Sequence, residues 1–144
     1  MLLGQFSHTL DDKNRLSLPS KFRKELGKTV IVTRGLDRCL FVYPVKEWKT
    51  FTGKLGELSM GQTDARSFTR FMLGGAAEVD LDSSGRVLIP EHLKSFAGLG
   101  ARVIVAGVAN RVELWNEDSW NDYTNRVEGE ADRLAQHLGE IGMV

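Results

Sequence analysis

The sequence contains little of what secreted, membrane-spanning or disulfide-stabilised proteins depend on. Among its 144 residues Cys39 is the only cysteine, so no internal disulfide can form and a reducing compartment is expected. No apolar run approaches the roughly 18 residues that a membrane span needs. The N-terminus lacks a basic segment followed by an apolar core, so we do not expect secretion. A cytoplasmic protein without a membrane partner is therefore predicted.

Histidine is also scarce, which limits metal and catalytic chemistry. The three histidines, His8, His92 and His137, are scattered, and none lies at ligand spacing from Cys39. His8 falls on the inward-facing side of a predicted strand and Cys39 opens an apolar strand, so packing is favoured over ligation or nucleophilic attack. No convergent set of catalytic side chains is present. The sequence therefore predicts no enzyme, no metal, no cofactor and no small-molecule substrate.

Net charge is absent as well, but the two halves of the chain are not neutral. Residues 1–72 contain 13 Lys and Arg against 7 Asp and Glu, a balance of +6, and residues 73–144 contain 6 against 12, a balance of −6. A basic front half is typical of a protein that binds an anionic partner. The alternative is that the halves attract each other, within a subunit or between subunits, and charge alone does not decide between these interpretations.

What the chain does contain is one pattern that occurs twice. Residues 10–20 return as residues 81–91, and in both copies an Asp precedes an Arg by four positions and a Pro follows that Arg by four. This self-similarity predicts an internal duplication. A shift of 71 residues, which becomes 72 after Gly98, aligns glycines, hairpin charges, prolines and a tryptophan: Gly4 with Gly75, Asp11 with Asp82, Arg15 with Arg86, Pro19 with Pro90, Gly27 with Gly98, Gly35 with Gly107 and Trp48 with Trp120.

Each copy begins with a predicted strand and a tight turn. Apolar and polar residues alternate over residues 6–11 and 78–82, which is the period of a half-buried strand. The residue before the Arg is Asn14 in one copy and Gly85 in the other. These are the residue types that most readily take a left-handed backbone. We therefore predict a tight hairpin turn in each copy.

The rest of each copy predicts three more short strands and one helical turn. Pro19 and Pro90 stop a strand and suit the first turn of a helix. About 45 residues make a poor core alone, whereas two interlocked copies make a plausible one. The predicted fold is mainly β with helices (α+β). Its remaining elements are strands at 15–18 and 86–89, helices at 20–26 and 91–97, strands at 29–33 and 39–43 or 103–105 and 111–115, and turns at Gly35 and Gly107.

Helical spacing replaces the strand pattern between and after the copies. Apolar residues three and four positions apart predict two helices within residues 45–74, separated by Gly53, Gly56 and Gly61. A long, exposed helix is predicted over residues 117–140, with an apolar stripe that packs either on the strands or on a neighbouring subunit. We divide the chain into a first module at 4–48, a helical linker at 49–74, a second module at 75–120 and a C-terminal helix at 121–144.

The Asp–Arg spacing predicts a structural role for three of its four charged residues. Across a short turn, a carboxylate can accept hydrogen bonds from turn amides or pair with the guanidinium, and either contact fixes the hairpin. The motif is present in both copies, including the acidic one. We therefore assign Asp11, Asp82 and Arg86 to the structure of the turns.

Arg15 differs from its counterpart in its surroundings. Arg, Lys and Asn on a protruding turn are suitable donors to phosphate oxygens and to base edges in a DNA groove. The first turn and its helix are rich in such residues, namely Lys13, Asn14, Lys21, Arg23, Lys24 and Lys28. The second copy instead has Ser84, Gly85, His92, Lys94 and Ser95. A nucleic-acid site is predicted at the first turn.

The chain resembles the MraZ family of bacterial transcriptional regulators, which have two AbrB-like (SpoVT-AbrB) domains. The resemblance covers nearly the whole chain and rests on the paired Asp-x-x-x-Arg hairpins and on residues 35–44, Gly-Leu-Asp-Arg-Cys-Leu-Phe-Val-Tyr-Pro, leading to Trp48. It implies a swapped-hairpin β-barrel in which two half-modules interlock. It also implies a homo-oligomeric ring that binds direct-repeat boxes in double-stranded DNA, at the nucleoid, and represses the division and cell-wall gene cluster including its own gene.

Among the residues of the first turn, the resemblance assigns DNA contact to Arg15. From charge and position we add Lys13, Lys21 and Arg23 as DNA-binding residues that contact phosphates, and Asn14 as a DNA-binding residue that contacts a base. The competing interpretation is a module that binds an acidic protein partner, as in antitoxins built on related barrels. A preference for particular DNA sequences would separate the two.

Overall fold

The computed structural model describes residues 1–144, which form eight strands and five helices. The strands are β1 (Leu2–Thr9), β2 (Arg15–Ser17), β3 (Thr29–Arg34), β4 (Leu40–Pro44), β5 (Ala77–Asp80), β6 (Arg86–Leu88), β7 (Arg102–Ala109) and β8 (Val112–Asn116). The helices are α1 (Ser20–Leu26), α2 (Val45–Gly56), α3 (Thr63–Gly74), α4 (Glu91–Ala97) and α5 (Glu117–Glu140).

The strand pairing interlocks the two halves of the chain. The strands form a six-stranded sheet in the order β1–β7–β8–β4–β3–β5 and a two-stranded ribbon of β2 and β6, and every pairing is antiparallel. Only β3–β4 and β7–β8 pair within one half. The pairings β1–β7, β3–β5, β4–β8 and β2–β6 all join one half to the other. The predicted α+β fold of two repeated halves is therefore confirmed.

One main core is shared by both halves. It contains 19 buried residues, ten from the first half and nine from the second. Leu16 and Val87 are paired across the ribbon and fully buried, and Phe22 and Leu93 bring α1 and α4 into the same core. Burying one such side chain contributes roughly 1.5–3 kcal/mol. Because each half supplies only about half of the core, their stabilities are linked.

Both short helices begin and end at the predicted residues. Pro19 (φ −53°) directly precedes α1 and Pro90 (φ −57°) directly precedes α4. A proline at this point supplies a preset φ and has no N–H to leave unpaired. Gly98 follows α4 in the left-handed conformation, with φ 59° and ψ 36°, which is a common way for a helix to end.

A second cluster, rich in aromatic rings, lies on the opposite face of the sheet. Val32 and Val42 belong to the main core, whereas their neighbours Ile31 and Phe41 belong to the second cluster. This division follows from the alternation of side chains along a strand. The helices α2 and α3 and the start of α5 contribute to the second cluster.

Two local predictions about glycine are wrong. Gly107 does not turn the chain, because it lies inside β7 opposite Gly4, where a Cβ atom would come within 2.6 Å of the backbone nitrogen of Leu3. Here glycine permits close approach of two strands rather than a turn. The chain turns instead after β7, where Ala109 has φ 72°. Gly53 does not separate the two helices, because it lies inside α2.

His8 and Cys39 differ in how fully the structure buries them. His8 lies on the partly buried side of β1 but is not the core residue that the pattern predicts. Cys39 is fully buried, and its thiol donates a hydrogen bond to the carbonyl of Leu36 at 3.2 Å. Burial raises the pKa of the Cys39 thiol well above its ordinary value. A neutral, buried thiol is a packing group, as predicted.

Candidate nucleic-acid interface

The two Asp–Arg turns have the same hydrogen-bonded geometry. In the first turn, Oδ1 of Asp11 accepts hydrogen bonds from the backbone N–H groups of Lys13 and Arg15, at 2.9 and 2.8 Å. Its other oxygen, Oδ2, accepts from Nε of Arg15 at 2.7 Å. In the second turn Asp82 makes the three corresponding bonds, at 2.9, 2.9 and 2.8 Å. Each carboxylate thus holds both a turn backbone and an arginine side chain.

These hydrogen bonds also set the charge of the two carboxylates. The backbone N–H of Arg15 is the main reason that the pKa of Asp11 lies below its ordinary value, and the Arg15 side chain lowers this pKa further. The backbone N–H and side chain of Arg86 have the same effect on the pKa of Asp82. Both carboxylates are therefore ionised at neutral pH.

Arg15 keeps part of its guanidinium group free. Only its Nε atom is hydrogen-bonded within the chain, and its side chain is 34% exposed. A planar fork of N–H donors held by a carboxylate is well suited to bidentate pairing with the guanine edge. Arg86 is held in the same way and its side chain is 32% exposed. The geometry of the arginines alone therefore does not distinguish the two turns.

Asn14 connects the first turn to a helix of the other half. Its backbone is left-handed, with φ 61°, as predicted. Its side-chain Nδ2 donates to Oε2 of Glu91 at 2.9 Å, and its Oδ1 accepts from Nζ of Lys94 at 3.0 Å. Its backbone carbonyl accepts from the N–H of Ile89 at 2.8 Å. The first turn is thus braced by α4, and both polar groups of the Asn14 side chain are already engaged.

The second turn meets α1 of the first half in a different way. Gly85 is left-handed, with φ 76°, and its carbonyl accepts from the N–H of Leu18 at 3.1 Å. Arg23 lies directly against Gly85, and its Nε donates to the carbonyl of Leu18 at 2.8 Å. Arg23 is therefore partly buried between the halves, although its terminal amino groups remain available for an anion.

Lys13 and Lys21 are the most accessible of the predicted cations. Both are exposed, and neither side chain takes part in an ion pair within the chain. The ammonium group of Lys21 lies 5.4 Å from the centroid of the Phe6 ring. A contact of this kind orients the cation without using its hydrogen-bond donors. Both lysines are therefore free to contact phosphate oxygens.

Sequence reasoning missed two members of this site, Glu91 and Lys94. Each half brings a helix to the turn of the other half, with Lys94 at Asn14 and Arg23 at Gly85. The 71-residue shift aligns Lys94 with Arg23, so the equivalence of the two cations was visible in the sequence. The exchange of strands between the halves determines that α4 contacts the first turn and α1 the second. No local sequence pattern indicates this exchange.

The surface around the turns is polar. An open groove of about 690 Å³ beside the second turn is lined by both signs of charge, from Arg23, Lys28, Asp80 and Asp82.

No three His, Cys, Asp or Glu side chains come together as a metal site requires. No helix has the length and apolar character to cross a membrane.

Comparison with known proteins gives a consistent result. A family model described as "MraZ protein, putative antitoxin-like" matches the chain twice, over residues 1–71 and 72–138. The chain is 45% identical to a protein of Thermoanaerobacter sp. (strain X514) and 46% identical to one of Caldanaerobacter subterraneus subsp. tengcongensis, over 99% of this chain and 100% of each relative. It is 44% identical to a protein of Natranaerobius thermophilus over 96% of both chains. All three relatives are named transcriptional regulator MraZ.

Proposed function

The chain belongs to the MraZ family, and we propose that it is a sequence-specific DNA-binding regulator that reads DNA with its first Asp–Arg turn. The names of its relatives support regulation of transcription. The observation that carries the assignment to one turn is the unequal distribution of accessible cations. Within the turns themselves, the first has two accessible cations, Lys13 and Arg15, whereas the second has Arg86 alone. Two turns that served only the fold would not require this difference.

In the proposed complex Arg15 enters the major groove and contacts a base. Asp11 holds Nε of Arg15 at 2.7 Å, which leaves the two terminal amino groups to pair with O6 and N7 of a guanine. Because the carboxylate fixes the side chain before binding, less conformational entropy is lost when the contact forms. Asp11 thus acts on DNA through the arginine that it positions.

The other cations contact the phosphate backbone. Lys13 is on the same turn as Arg15, and Lys21 and Arg23 follow on α1. Each phosphate contact releases counterions, so it contributes affinity that falls with salt and fixes the register of the turn in the groove. Arg23 contributes through its terminal amino groups, since its Nε is bonded to Leu18.

Asn14 is proposed as a positioning residue. A base contact from its side chain would require breaking the hydrogen bonds to Glu91 and Lys94, at 2.9 and 3.0 Å. An unpaired polar group in a contact region costs about 1–3 kcal/mol. We therefore assign Asn14 to holding the turn and give base contact to Arg15.

Several copies of the chain bind together in this proposal. One small turn reads only a few base pairs, so a homo-oligomeric ring that engages direct-repeat boxes gains affinity by linking weak contacts. Direct repeats suit head-to-tail subunit contacts, which close into rings. The family resemblance gives the target as the division and cell-wall gene cluster, with the protein acting at the nucleoid as a repressor of that cluster and of its own gene.

A gel-shift titration tests the function directly. The purified chain is titrated against the DNA upstream of its own coding sequence and against a shuffled fragment of equal length and composition, at 150 mM salt. We expect binding to the natural fragment at least 10³-fold tighter than to the shuffled one, as is usual for specific DNA-binding proteins. Equal affinity for the two fragments would contradict sequence-specific binding.

The second candidate function is a module that binds an acidic protein, which the antitoxin-like description of the family favours. In that case the basic first half, with its balance of +6, would bind the partner by charge. The same titration separates the candidates, because a protein-binding module has no sequence preference among DNA fragments of equal charge.

A further inference from the structure

The two-stranded ribbon of β2 and β6 has one face in the core and one face outside it. Its three cross-strand pairs are Arg15 with Leu88, Leu16 with Val87, and Ser17 with Arg86. Leu16 and Val87 are fully buried in the main core. Because side chains alternate along a strand and directly opposite residues share a face, the other four side chains lie on the outer face. The arginines of both Asp–Arg turns therefore share this face with one leucine and one serine.

Leu88 is exposed on this face although it is apolar. Its exposed fraction is 55%, whereas its chain neighbours Val87 and Ile89 are 0% and 1% exposed. None of the other exposed large apolar residues lies in the ribbon, in either turn, or in α1 or α4. A single exposed leucine is common on a protein surface. This one, however, lies directly across the ribbon from the arginine that is proposed to read DNA.

The fold does not require an apolar residue at position 88. The 71-residue shift aligns Leu88 with Ser17, and Ser17 lies opposite Arg86 as Leu88 lies opposite Arg15. Ser17 is polar and half-buried, so the same place in the ribbon accepts a polar side chain. The two arginines thus make the same contacts within their own turns but have different neighbours across the ribbon. Only Arg15 has an apolar one.

The position of Leu88 suits contact with a base next to the one that Arg15 contacts. A two-stranded ribbon fits the major groove of DNA. Residues directly opposite each other in an antiparallel pair have Cβ atoms about 4.5–5.5 Å apart, and successive base pairs are about 3.4 Å apart. A leucine across from Arg15 can therefore reach the neighbouring base pair. The apolar group that the major groove offers there is the C5-methyl group of thymine.

The surroundings of Leu88 favour DNA over an apolar protein partner. Arg15 lies across the ribbon, Lys13 lies on the same turn as Arg15, and Nζ of Lys94 donates to Asn14 of that turn. Neither lysine takes part in an ion pair within the chain. A protein-docking patch would need further exposed apolar side chains around Leu88, and the ribbon and turns have none. DNA offers both phosphates for the cations and a methyl group for the leucine.

We propose that Leu88 determines specificity by contacting the C5-methyl group of a thymine in the base pair next to the guanine that Arg15 contacts. The inference rests on the proposed function and adds a residue of the second half to the reading of DNA. A cytosine in place of this thymine would lack the methyl group and would present an N–H donor that leucine cannot accept. Because Arg15 and Leu88 come from different halves, the preference for two neighbouring bases depends on the strand exchange.

Replacing single thymines by deoxyuridine tests the contact on the full-length chain. Deoxyuridine pairs with adenine as thymine does but lacks the C5-methyl group, so only the group in question is removed. Each thymine of the upstream fragment is replaced in turn, and affinity is measured by gel-shift titration at 150 mM salt. The wild type is expected to bind about 5-fold more weakly at one thymine position, which is the effect of losing one buried methyl group.

Three variants connect this loss to Leu88. Leu88→Ala is expected to bind the thymine fragment about 5-fold more weakly and to lose nothing further with deoxyuridine, because the methyl group no longer has a partner. Leu88→Met retains an apolar side chain of similar volume and is expected to remain sensitive to the methyl group. Leu36→Ala is the matched control, since Leu36 is 53% exposed but lies between β3 and β4, and it is expected to behave as the wild type.

A melting curve and light scattering check the folding and the mass of each variant. Leu88 is more than half exposed, so its replacement by alanine is expected to leave the melting temperature nearly unchanged. The deoxyuridine series on the wild type needs no variant and tests the methyl contact even if a variant fails to fold.

Three results would overturn the inference: a wild type that is insensitive to the methyl group at every thymine, a Leu88→Ala variant as sensitive to deoxyuridine as the wild type, or a Leu88→Ala variant that changes mass but not base preference. Failure of the proposed function looks different. Equal affinity for the upstream and the shuffled fragment contradicts sequence-specific binding. A preference for the upstream fragment that does not depend on any methyl group contradicts the role of Leu88 alone.

Discussion

The guanidinium group of Arg23 occupies the space that a side chain at position 85 would need. A Cβ atom built on Gly85 would lie 2.2 Å from Cζ of Arg23. Arg23 belongs to α1 of the first half and Gly85 to the turn of the second, so this contact joins the halves. In the equivalent contact between the first turn and α4, Asn14 takes the place of Gly85, and its side chain accepts a hydrogen bond from Lys94. In each contact the size of the turn residue is therefore matched to the side chain of the helix that braces the turn.

Gly85→Ala is expected to lower the free energy of unfolding by about 1–3 kcal/mol. Part of this loss comes from placing a residue with a Cβ at φ 76°, and part from displacing Arg23. Urea denaturation of the variant and the wild type measures the difference.

A double-mutant cycle separates the two parts of the Gly85 effect. In an Arg23→Ala background the clash is absent, so Gly85→Ala is expected to cost less than in the wild-type background. Equal costs in both backgrounds would show that Arg23 does not restrict position 85.

Arg15→Ala is expected to weaken binding to the operator by about 1–3 kcal/mol, because Arg15 reads a base. Gel-shift titration on the upstream fragment gives this number. Unchanged affinity would reject the role of Arg15.

Arg86→Ala is the matched control, since Arg86 has the same contacts within its own turn. It is expected to cost about 1 kcal/mol or less of folding stability, because its ion pair is about one third exposed, with little effect on DNA affinity. An Arg86→Ala variant that lost DNA binding at an unchanged melting temperature would reverse our assignment of the two turns.

Asn14→Gly is expected to destabilise the protein by about 0.5–1.5 kcal/mol and to weaken operator binding. Glycine tolerates φ 61°, so the variant loses the side-chain hydrogen bonds to Glu91 and Lys94 without backbone strain, and the greater freedom of glycine in the unfolded chain adds to the loss. Denaturation and gel-shift titrations are made on the same preparations. If Asn14 instead contacts a base, specificity for one position of the operator falls while stability and the affinity for other sequences are retained.

Lys13→Ala and Lys21→Ala are expected to reduce the slope of log affinity against log salt by about 1 each, because each loses one phosphate contact. The titration is repeated at several salt concentrations. Lys24→Ala, which removes another exposed cation of α1, is the comparison. An equal change in slope for all three variants would contradict the assignment of phosphate contacts to Lys13 and Lys21 but not to Lys24.

Acid is expected to destabilise the protein through the two turn carboxylates. The pKa values of folded Asp11 and Asp82 lie below the ordinary value of 3.8. Ionised carboxylates therefore favour the folded state above about pH 4, and this contribution is lost as pH falls through the lowered pKa values. The free energy of unfolding is measured between pH 2 and pH 6.

The variant Asp11→Asn with Asp82→Asn provides the comparison for the acid titration. It retains a side-chain oxygen but cannot ionise, so its stability is expected to be lower at pH 6 and to change less with pH below 4. Parallel pH profiles for variant and wild type would show that these carboxylates do not cause the acid sensitivity.

Much of the local structure could be predicted from the sequence, because local chemistry sets it. The prolines before α1 and α4 correctly predicted where these helices begin, and the helical spacing of apolar residues predicted the bounds of α5. Asn14 and Gly85 predicted the left-handed residues of the two turns. Glycine can serve either a turn or the close approach of two strands, and the prediction for Gly107 was wrong because this residue permits close approach.

The exchange of strands and the braces of the turns could not be predicted from any local pattern. Glu91 and Lys94 lie 77 and 80 residues from Asn14 along the chain, and only the pairing of β2 with β6 brings α4 to the first turn. The small core of a single copy indicated that the two copies interlock, and the family resemblance supplied the exchange of hairpins between them. The module boundaries at 48, 74 and 120 stay a prediction, since the strand exchange leaves no half with a complete sheet.

The strand exchange within one polypeptide has a consequence for what each turn can become. If two identical chains exchanged strands in this way, every substitution in one turn would appear in the other, and both would change together. Here β2 and β6 belong to the same chain but to different stretches of sequence. One turn can therefore gain a lysine and an asparagine while the other has serine and glycine at the corresponding positions, so the two halves of a single chain can diverge.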